Sequence, residues 1–385
     1  MPNEHARDVA ILIPSYQPDE RLAPYVHALC EAGFARVVVV DDGSGEAYSP
    51  IFDSLAQAGS AVQVIRYEPN HGKGYALREG MRVLQEACPA CASVVAADSD
   101  GQHTVADVLR MAEALHTDGE GLLLGSRDFS LPNVPPKSRM GNRITAAVFR
   151  ALYGQYVGDT QTGLRGFARK HLTRFRQTRG DRYEYEMNQL IDCSIEKIPI
   201  RSLPIETVYE NNNEGSHFHP VRDSWRIYRV ILSRFMRFIA ASLLCFVVDY
   251  GLYLLLNTLL KANAPALDAY LRFLPVHIIA RIAVAALLAR VVSSVLNFFI
   301  NRTYVFSSKN KLGATFLRYA CTVVVIVALS AWLTSSLHIW FGWNDNLVKM
   351  PVDIGLFFLS YYVQRRWVFG GQAVRDAAHN VKKGA

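Results

Sequence analysis

The sequence contains little cysteine: six residues among 385, scattered along the chain. One pair is closely spaced, Cys88-Pro-Ala-Cys91, but it has neither a second C-x-x-C pair nor a histidine partner. A zinc centre or a redox centre is therefore not expected there. We predict reduced thiols, as in cytosolic proteins.

Three other features are missing from the sequence. Met1–Asp8 is polar and the apolar run after it is only as long as a strand, so no cleavable signal peptide is expected. The Walker sequence G-x-x-x-x-G-K-[ST] is absent. The net charge of +7 is concentrated near apolar segments of the C-terminal half rather than in one basic stripe, so nucleic acid is not an expected partner.

Apolar residues make up half of the chain and are distributed unevenly. Within residues 1–220, short aliphatic runs alternate with helix-like stretches. The predicted strands are Val9–Ile13, Val37–Val40, Val62–Arg66, Val94–Ala97 and Leu122–Leu124, and the predicted helices are Leu22–Ala32, Ile51–Ala58, Tyr75–Ala87 and Val105–Leu115. This alternation predicts an α/β domain with a Rossmann-like, mostly parallel sheet that helices cover on both faces.

A polar motif follows each predicted strand. The five motifs are Pro14-Ser-Tyr16, Asp41-Asp42-Gly-Ser44, Asn70-His-Gly72-Lys73-Gly74, Asp98-Ser-Asp100-Gly-Gln102-His103 and Gly125-Ser-Arg127. Ligands of such sheets bind beyond the carboxyl ends of the strands. The five motifs therefore predict one binding site.

Asp98 and Asp100 are the most informative pair in these motifs. Two carboxylates one residue apart, where a buried strand meets a loop, suit Mg²⁺ or Mn²⁺, whose other ligands are often substrate phosphates. The alternative is an ordinary turn rich in Asp, Ser and Gly. Asp41 or Asp42 could bind the base or the ribose of a nucleotide; the alternative is an ordinary turn. Lys73 could lie near a phosphate; the alternative is that it only begins a helix.

A sixth motif follows these five, Asp159-Thr-Gln-Thr-Gly-Leu-Arg165-Gly-Phe167. Through all six motifs, residues 9–220 resemble the family-2 glycosyltransferases of GT-A fold, in particular the dolichol-phosphate mannose synthase and polyprenyl-phosphate hexosyltransferase branch. The resemblance implies three groups of site residues: Pro14, Tyr16 and Asp41 or Asp42 on the nucleotide; Asp98, Asp100 and Gln102 around Mg²⁺ or Mn²⁺; and Arg127 and Arg139 on the acceptor phosphate. On the sugar side it implies Asp159, Gln161 and Arg165, with a turn that holds a neighbouring strand as the alternative.

The chain departs from the family pattern at two places. Gln17-Pro-Asp-Glu20 stands where the family often has an acid directly after Pro-x-Tyr-Asn, so the nucleotide stays open between GDP and UDP. His217 stands where the family has a lysine in Gly-x-Ser-Lys. Histidine is a weaker, pH-dependent contact for a diphosphate; the alternative is a loop histidine without a ligand. Glu184 and Glu186 cannot share a helix face, and we assign both to sugar contacts.

Four long apolar stretches predict a transmembrane domain over residues 238–370. They are Phe238–Leu260, Pro275–Ile300, Tyr319–Trp340 and Leu347–Val363, and about 20 residues suffice to cross a bilayer. Residues 221–237 predict an amphipathic juxtamembrane helix, and residues 371–385 a cytosolic tail. Lysine and arginine are concentrated before the first stretch, between the second and third, and after the fourth, which predicts that both termini and the catalytic half are cytosolic.

The membrane half contains an internal repeat. Asn297–Phe306 aligns with Ser360–Phe369, which indicates two copies of a hairpin in the same orientation. Through these repeated Asn/Gln-Arg-x-aromatic-Val-Phe endings, residues 235–369 resemble the GtrA-type membrane family. Because charges at depth in a bilayer are costly, Arg290 is expected to pair with Asp249 or Asp353; the alternative is that it binds a lipid head group.

These observations predict a multi-pass membrane enzyme of a bacterial or archaeal cell membrane. It would transfer a hexose, mannose or glucose, from a GDP- or UDP-sugar to dolichyl or undecaprenyl phosphate at the cytosolic face. The resemblance implies metal dependence and inversion at the anomeric carbon, and we expect Asp100, Arg127, Arg139 and Asp159 to take part in catalysis. Two alternatives remain: a glycolipid flippase or carrier with an accessory soluble half, and a membrane half that only anchors the enzyme or assembles a homo-oligomer.

Overall fold

The protein is described by a computed structural model that covers residues 4–131, 134, 136–206, 220–268, 279–308, 310–341 and 345–370. The chain divides into two compact units, Met1–Ile231 and Leu232–Ala385. The first contains a sheet with flanking helices and the second is helical.

A seven-stranded sheet with the order β3-β2-β1-β4-β6-β5-β7 forms the centre of the first unit. The strands are β1 Val9–Ser15, β2 Arg36–Asp42, β3 Val62–Tyr67, β4 Ser93–Ala96, β5 Leu122–Ser126, β6 Arg165–Ala168 and β7 Ile200–Pro204. Only β6 runs antiparallel to its two neighbours, β4 and β5. The prediction of a mostly parallel sheet is confirmed, and all five predicted strands are present.

Seven helices of the first unit pack around this sheet or extend from it. They are α1 Leu22–Glu31, α2 Ser49–Ala56, α3 Lys73–Ala87, α4 Val105–Thr117, α5 Pro136–Tyr153, α6 Leu172–Arg176 and α7 Glu184–Glu196. The first four match the predicted helices. At the start of α4, the Thr104 hydroxyl accepts a hydrogen bond from Asp107 N, which satisfies one of the backbone donors that a helix start leaves unpaired.

The core explains why the predicted strands were visible as apolar runs. All seven residues of β1 are buried, because β1 lies between β2 and β4 and both faces of the sheet are covered. Strands buried on both faces are apolar throughout rather than alternating. The polar motifs begin where these runs end, so the chain leaves the core and enters the site at the same residues.

Cys88 and Cys91 form a disulfide, and the prediction of reduced thiols was wrong for this pair. The chain turns directly after α3, where Cys91 N donates to Cys88 O at 3.2 Å. This turn brings the two Cα atoms to 5.5 Å, within the range that a disulfide spans. Cys30, Cys193, Cys245 and Cys321 carry free thiols.

The second unit is built from long helices. They are α8 Pro220–Asn263, which begins in the first unit, α9 Ala280–Ile300, α10 Leu312–Phe341 and α11 Asp345–Val363. Within the described residues, three segments are long and apolar enough to cross a membrane: Arg222–Asn263, Ala280–Val305 and Leu312–Leu337. The predicted fourth span coincides with α11, and the predicted juxtamembrane helix is continuous with the first span.

Two π-helical segments, Asn301–Val305 and Gln364–Val368, lie at the two copies of the repeated sequence. The buried side chains of Asn301 and Gln364 meet: Asn301 Nδ2 donates to Gln364 Oε1 at 3.1 Å. One residue after each segment, Phe306 and Phe369 stack with ring centroids 5.1 Å apart. The repeated motifs are therefore in direct contact.

Arg290 pairs with Asp249 as predicted, with Nη2 and Oδ2 3.1 Å apart. Ser293 also donates to Asp249 at 2.8 Å. Asp353 has other partners: it accepts hydrogen bonds from Ser330 Oγ at 2.6 Å and from Lys349 Nζ. Each of these acidic side chains, both in long apolar helices, thus has a polar partner on a neighbouring helix.

Candidate functional site

A cavity of about 640 Å³ lies where the loops after β1, β2 and β4 meet. Six of the residues that the sequence predicted for the site line this cavity: Pro14, Tyr16, Asp42, Lys73, Asp98 and Asp100. They come from four different motifs, and the parallel strands bring them to one edge of the sheet. The predicted convergence of the motifs is seen in the first four of the five.

Asp42 organises the loop that precedes α3. Its carboxylate accepts four hydrogen bonds, from Tyr67 Oη and His71 N on Oδ1, and from Asn70 Nδ2 and Gly72 N on Oδ2. Burial raises the pKa of this carboxyl group, while the backbone donors act in the opposite direction. Asp41 is held elsewhere, by Ser44 N and Arg66 Nε, so of the two aspartates left open by the sequence it is Asp42 that lines the cavity.

Lys73 stands between two carboxylates. Its Nζ lies 2.6 Å from Asp98 Oδ1 and 2.8 Å from Glu186 Oε1. Burial alone would lower the pKa of Lys73, but the two negative charges outweigh it and raise the pKa above the ordinary value. The second oxygen of Asp98 lies 3.3 Å from His103 Nε2. Despite its burial, Asp98 has a pKa well below the ordinary range because of the charge of Lys73 and the contact with His103.

Asp100 is the second carboxylate of the predicted metal pair. Its Oδ1 accepts a hydrogen bond from Gln102 N at 3.0 Å, and burial together with the charge of Asp98 raises its pKa. In the part of the chain that the structure describes, no group of three or more His, Cys, Asp or Glu side chains is placed to hold a metal ion. Two carboxylates that face one cavity nevertheless fit Mg²⁺ or Mn²⁺, because substrate phosphates commonly complete such a shell.

Three other predicted residues, Asp159, Arg127 and Arg165, bind groups of the protein itself. Asp159 is fully buried, and Arg127 binds it through Nε at 2.8 Å and Nη2 at 3.2 Å. Arg165 is also buried, and its guanidinium donates to Thr162 O, Glu186 O and Gln189 Oε1. None of the three lines the cavity. The guanidinium of Arg165 faces protein acceptors, and its assignment to the sugar side stays a prediction.

The remaining predicted site residues do not share one location. Arg139 is exposed and donates to Leu131 O at 2.8 Å, and Gln161 is exposed beside Asp159, whose Oδ1 accepts a hydrogen bond from Gln161 N. Gln102 touches the metal pair through its backbone N–H. His217 lies outside the described residues.

Glu184 and Glu186 have separate partners within the protein, and the sugar contacts assigned to them stay predictions. Glu184 Oε1 accepts from Asp181 N and Arg182 N at the start of α7, whereas Glu186 is buried against Lys73. The spacing argument that they cannot share a face was correct. It gave no means of recognising that one of them reaches the cavity lysine.

The cavity wall also contains residues that the motifs did not indicate. Arg182 and Tyr183 precede α7, and Arg222, Asp223 and Arg226 lie in the first turns of α8. Arg226 Nη1 lies 3.2 Å from Asp223 Oδ1. The helical spacing of Arg222 and Arg226 is the available signal in the sequence, and it fits the predicted amphipathic juxtamembrane helix over residues 221–237 equally well.

Comparison with known proteins gives the same division of the chain. Residues 10–182 match glycosyl transferase family 2, and residues 237–369 match the GtrA/DPMS transmembrane domain. The UDP-N-acetylglucosamine--dolichyl-phosphate N-acetylglucosaminyltransferase of Methanococcus voltae is 28% identical over 217 residues, which are 52% of this chain and 86% of the relative. Glycosyltransferase AglJ of Haloferax volcanii is 29% identical over 230 residues, 59% of this chain and 71% of the relative.

Among solved structures, glucosyl-3-phosphoglycerate synthase from Mycobacterium tuberculosis, in complex with Mn²⁺, UDP-glucose and phosphoglyceric acid, is 17% identical. The match covers 59% of this chain and 79% of that protein, with a TM-score of 0.44. The family matches agree with the motifs, the mostly parallel sheet and the apolar helices described above. Residues 10–182 therefore form a glycosyl transferase family 2 domain, and residues 237–369 form a GtrA/DPMS transmembrane domain.

Proposed function

We propose that this protein transfers a sugar from a nucleotide-diphosphate sugar to a polyprenyl phosphate of the dolichyl phosphate type at the cytosolic membrane face. The observation that carries this proposal is the cavity, where Asp98, Asp100 and Lys73 face arginines of α8, the helix that continues into the first candidate span. The family match and the name of the Methanococcus voltae relative support the same reaction class. The sugar is a hexose, mannose or glucose, or an N-acetylhexosamine, as that name suggests.

The acceptor phosphate itself is the nucleophile. A phosphate monoester has a second pKa near 6 and is therefore largely dianionic at neutral pH, so no strong protein base is needed. One oxygen of this phosphate forms a bond to the anomeric carbon while the bond to the nucleoside diphosphate breaks, and inversion follows from this single displacement. The difficulty is that two anions must approach each other.

Positive charge in the cavity addresses this difficulty. Asp98 and Asp100 would hold a Mg²⁺ or Mn²⁺, whose charge stabilises the departing diphosphate. Lys73 adds an ammonium group beside them. Such preorganised charges stabilise the negative charge that develops in the transition state. In many enzymes this electrostatic stabilisation is the largest contribution to the rate enhancement.

The acceptor phosphate is assigned to the arginine wall of the cavity. Arg182, Arg222 and Arg226 line this wall, and guanidinium groups suit phosphate oxygens. A lipid-borne phosphate reaches such residues from the membrane side, because Arg222 and Arg226 belong to the helix that becomes the first candidate span. The family-based assignment of Arg127 and Arg139 to this phosphate stays a prediction.

A transfer assay with purified full-length protein in detergent tests the proposal. Radiolabelled GDP-mannose, UDP-glucose and UDP-N-acetylglucosamine are each combined with dolichyl or undecaprenyl phosphate, with Mn²⁺, Mg²⁺ or EDTA. Label is expected in the lipid fraction for at least one donor, with loss in EDTA. In Asp100→Asn the rate should fall by roughly 10²–10³, whereas Asp53→Asn, at an exposed carboxylate, should keep it. Absence of lipid-linked label for every pair would refute the proposal.

A further inference from the structure

Lys73 has two possible anionic partners, and it contacts both at once. Its Nζ is 2.6 Å from Asp98 Oδ1 and 2.8 Å from Glu186 Oε1. The side chains of Lys73 and Glu186 are 19% and 8% exposed. Asp98 lines the cavity, whereas Glu186 projects from α7 behind the lysine and is not among the residues of the cavity wall. The ammonium therefore lies between a carboxylate that ligands can reach and one that solvent barely reaches.

Both oxygens of Asp98 already have partners. Lys73 lies at Oδ1, and His103 Nε2 lies 3.3 Å from Oδ2. Gly163 lies close to the carboxylate, since a Cβ at this position would be 2.2 Å from Asp98 Oδ2, and only a residue without a side chain leaves room for Asp98 there. A divalent cation that binds Asp98 at Oδ1 would lie next to the Lys73 ammonium, and because the two positive charges repel each other, cation and ammonium compete for this oxygen.

The contact between Glu186 and Lys73 is favoured because Glu186 is buried. Its buried Oε1 has the ion pair with Lys73 and no additional hydrogen bond in the described structure. A buried carboxylate without a counter-charge is strongly unfavourable. If Lys73 releases Asp98, Glu186 still holds the ammonium in place at the cavity wall.

We propose that Glu186 is a positioning residue that retains Lys73 when a divalent cation takes Asp98, so that the freed ammonium turns toward the donor diphosphate instead of leaving the site. The inference rests on the proposed function insofar as the diphosphate belongs to a nucleotide-sugar donor. The cation exchange at Asp98 is independent of which sugar is transferred. One carboxylate thus accepts the metal and the other holds the lysine that the metal displaces.

Neighbouring Glu184 provides a matched control. It lies in the same helix two residues earlier, but its Oε1 accepts from Asp181 N and Arg182 N, which Gln in its place can also accept. Glu184→Gln therefore removes one negative charge near the start of α7 without touching Lys73. Any effect common to both glutamates reflects the charge of α7 and not the contact with the lysine.

Mn²⁺ binding, measured by electron paramagnetic resonance on full-length protein without donor or acceptor, gives a readout that does not depend on turnover. In Glu186→Gln, Lys73 has only Asp98 left and competes harder with the cation, so Mn²⁺ affinity should fall by about 10-fold to 100-fold. Glu186→Asp should recover part of it. In Lys73→Met the competitor is gone, and affinity should rise by a similar factor. The double variant Lys73→Met with Glu186→Gln removes both charges, avoids a lone buried carboxylate, and should bind Mn²⁺ as tightly as Lys73→Met.

Transfer kinetics provide the second readout. At saturating Mn²⁺, Glu186→Gln should raise KM for the donor and lower kcat, with KM for the lipid acceptor unchanged, and Glu196→Gln, at an exposed carboxylate of the same helix, should match the unmodified protein. Unchanged Mn²⁺ affinity in both Lys73→Met and the double variant would overturn the inference, as would equal Mn²⁺ binding by Glu186→Gln and Glu184→Gln. If no donor supports transfer but the predicted order of Mn²⁺ affinities holds, the proposed function fails while the exchange at Asp98 stands.

Discussion

The backbone N–H of Gly72 donates a hydrogen bond of 2.7 Å to Asp42 Oδ2, and this contact fixes the loop that leads into α3. Gly72 has a φ of +107°, and a Cβ there would lie 2.5 Å from Asp181 O. Only glycine fits this position without strain. The carboxylate after β2 thereby sets the direction in which α3 starts, and with it the position of Lys73.

Asp42→Asn should destabilise the protein by about 1–3 kcal/mol, because an amide cannot accept all four hydrogen bonds that the carboxylate accepts and leaves buried donors unpaired. Donor affinity should fall with it, since the loop carries Lys73. Thermal unfolding of the full-length protein in detergent measures the first effect and nucleotide-sugar titration the second. Asp53→Asn, whose side chain is 61% exposed, is the control. Equal melting temperatures for both variants would contradict the role given to Asp42.

Cys193 should resist alkylation in the folded protein. Its thiol is fully buried, and burial raises its pKa to about 12. Because only the thiolate reacts, and because this pKa is raised, reactivity should appear only as the pH approaches that value; at pH 8 roughly one thiol in ten thousand is ionised. Mass spectrometry after iodoacetamide treatment at pH 8 should show Cys193 unmodified before and modified after denaturation. Equal labelling in both states would show that the thiol is accessible.

The sheet was largely predictable because its signals are local. Four of the five predicted strands are short apolar runs that are almost entirely buried, and the fifth, the edge strand β3, is partly buried. Each is followed by polar residues where the chain leaves the core. β6 was not predicted, because Arg165–Ala168 is four residues long and has no apolar pattern of its own. It becomes a strand through its pairing with β4 and β5, and this tertiary contact overrides local propensity.

The cavity residues that follow strands were also predictable, because their signals are local in the sequence. Asp98, Asp100 and Lys73 directly follow strands or open a helix, so their convergence follows from topology alone. The contact between Lys73 and Glu186 joins distant parts of the sequence, and the spacing of residues along the chain does not predict it. Arg165 matched the family pattern, yet only the structure shows that its donors face backbone carbonyls and Gln189.

Asp249 and Arg290 should be energetically coupled, because each is the charged partner of the other within long apolar helices. Asp249→Asn and Arg290→Gln should each lower the melting temperature, since either change leaves one charge without its counter-charge at depth. The double variant should lose less than the sum of the two, with a coupling energy of about 0.5–3 kcal/mol. Thermal unfolding of all four proteins in one detergent measures this cycle, and strictly additive losses would show that the pair contributes nothing.

Arg226→Gln should raise KM for the polyprenyl phosphate while KM for the nucleotide sugar stays unchanged. Arg226 lines the cavity and its side chain is 31% exposed. Loss of one charge-assisted hydrogen bond to a phosphate corresponds to about a tenfold change in KM. Arg229→Gln is the matched control, because Arg229 is exposed on the same helix and is not among the lining residues.

Arg139→Gln completes this comparison, because the family resemblance assigns the acceptor phosphate to Arg139 and the cavity wall assigns it to Arg226. A larger rise of acceptor KM in Arg139→Gln than in Arg226→Gln would favour the family-based assignment. A rise of donor KM in Arg226→Gln, with acceptor KM constant, would place the diphosphate rather than the lipid phosphate at the arginine wall. Steady-state kinetics with one substrate varied at saturating levels of the other separate these outcomes, since a group that binds one substrate changes the KM of that substrate.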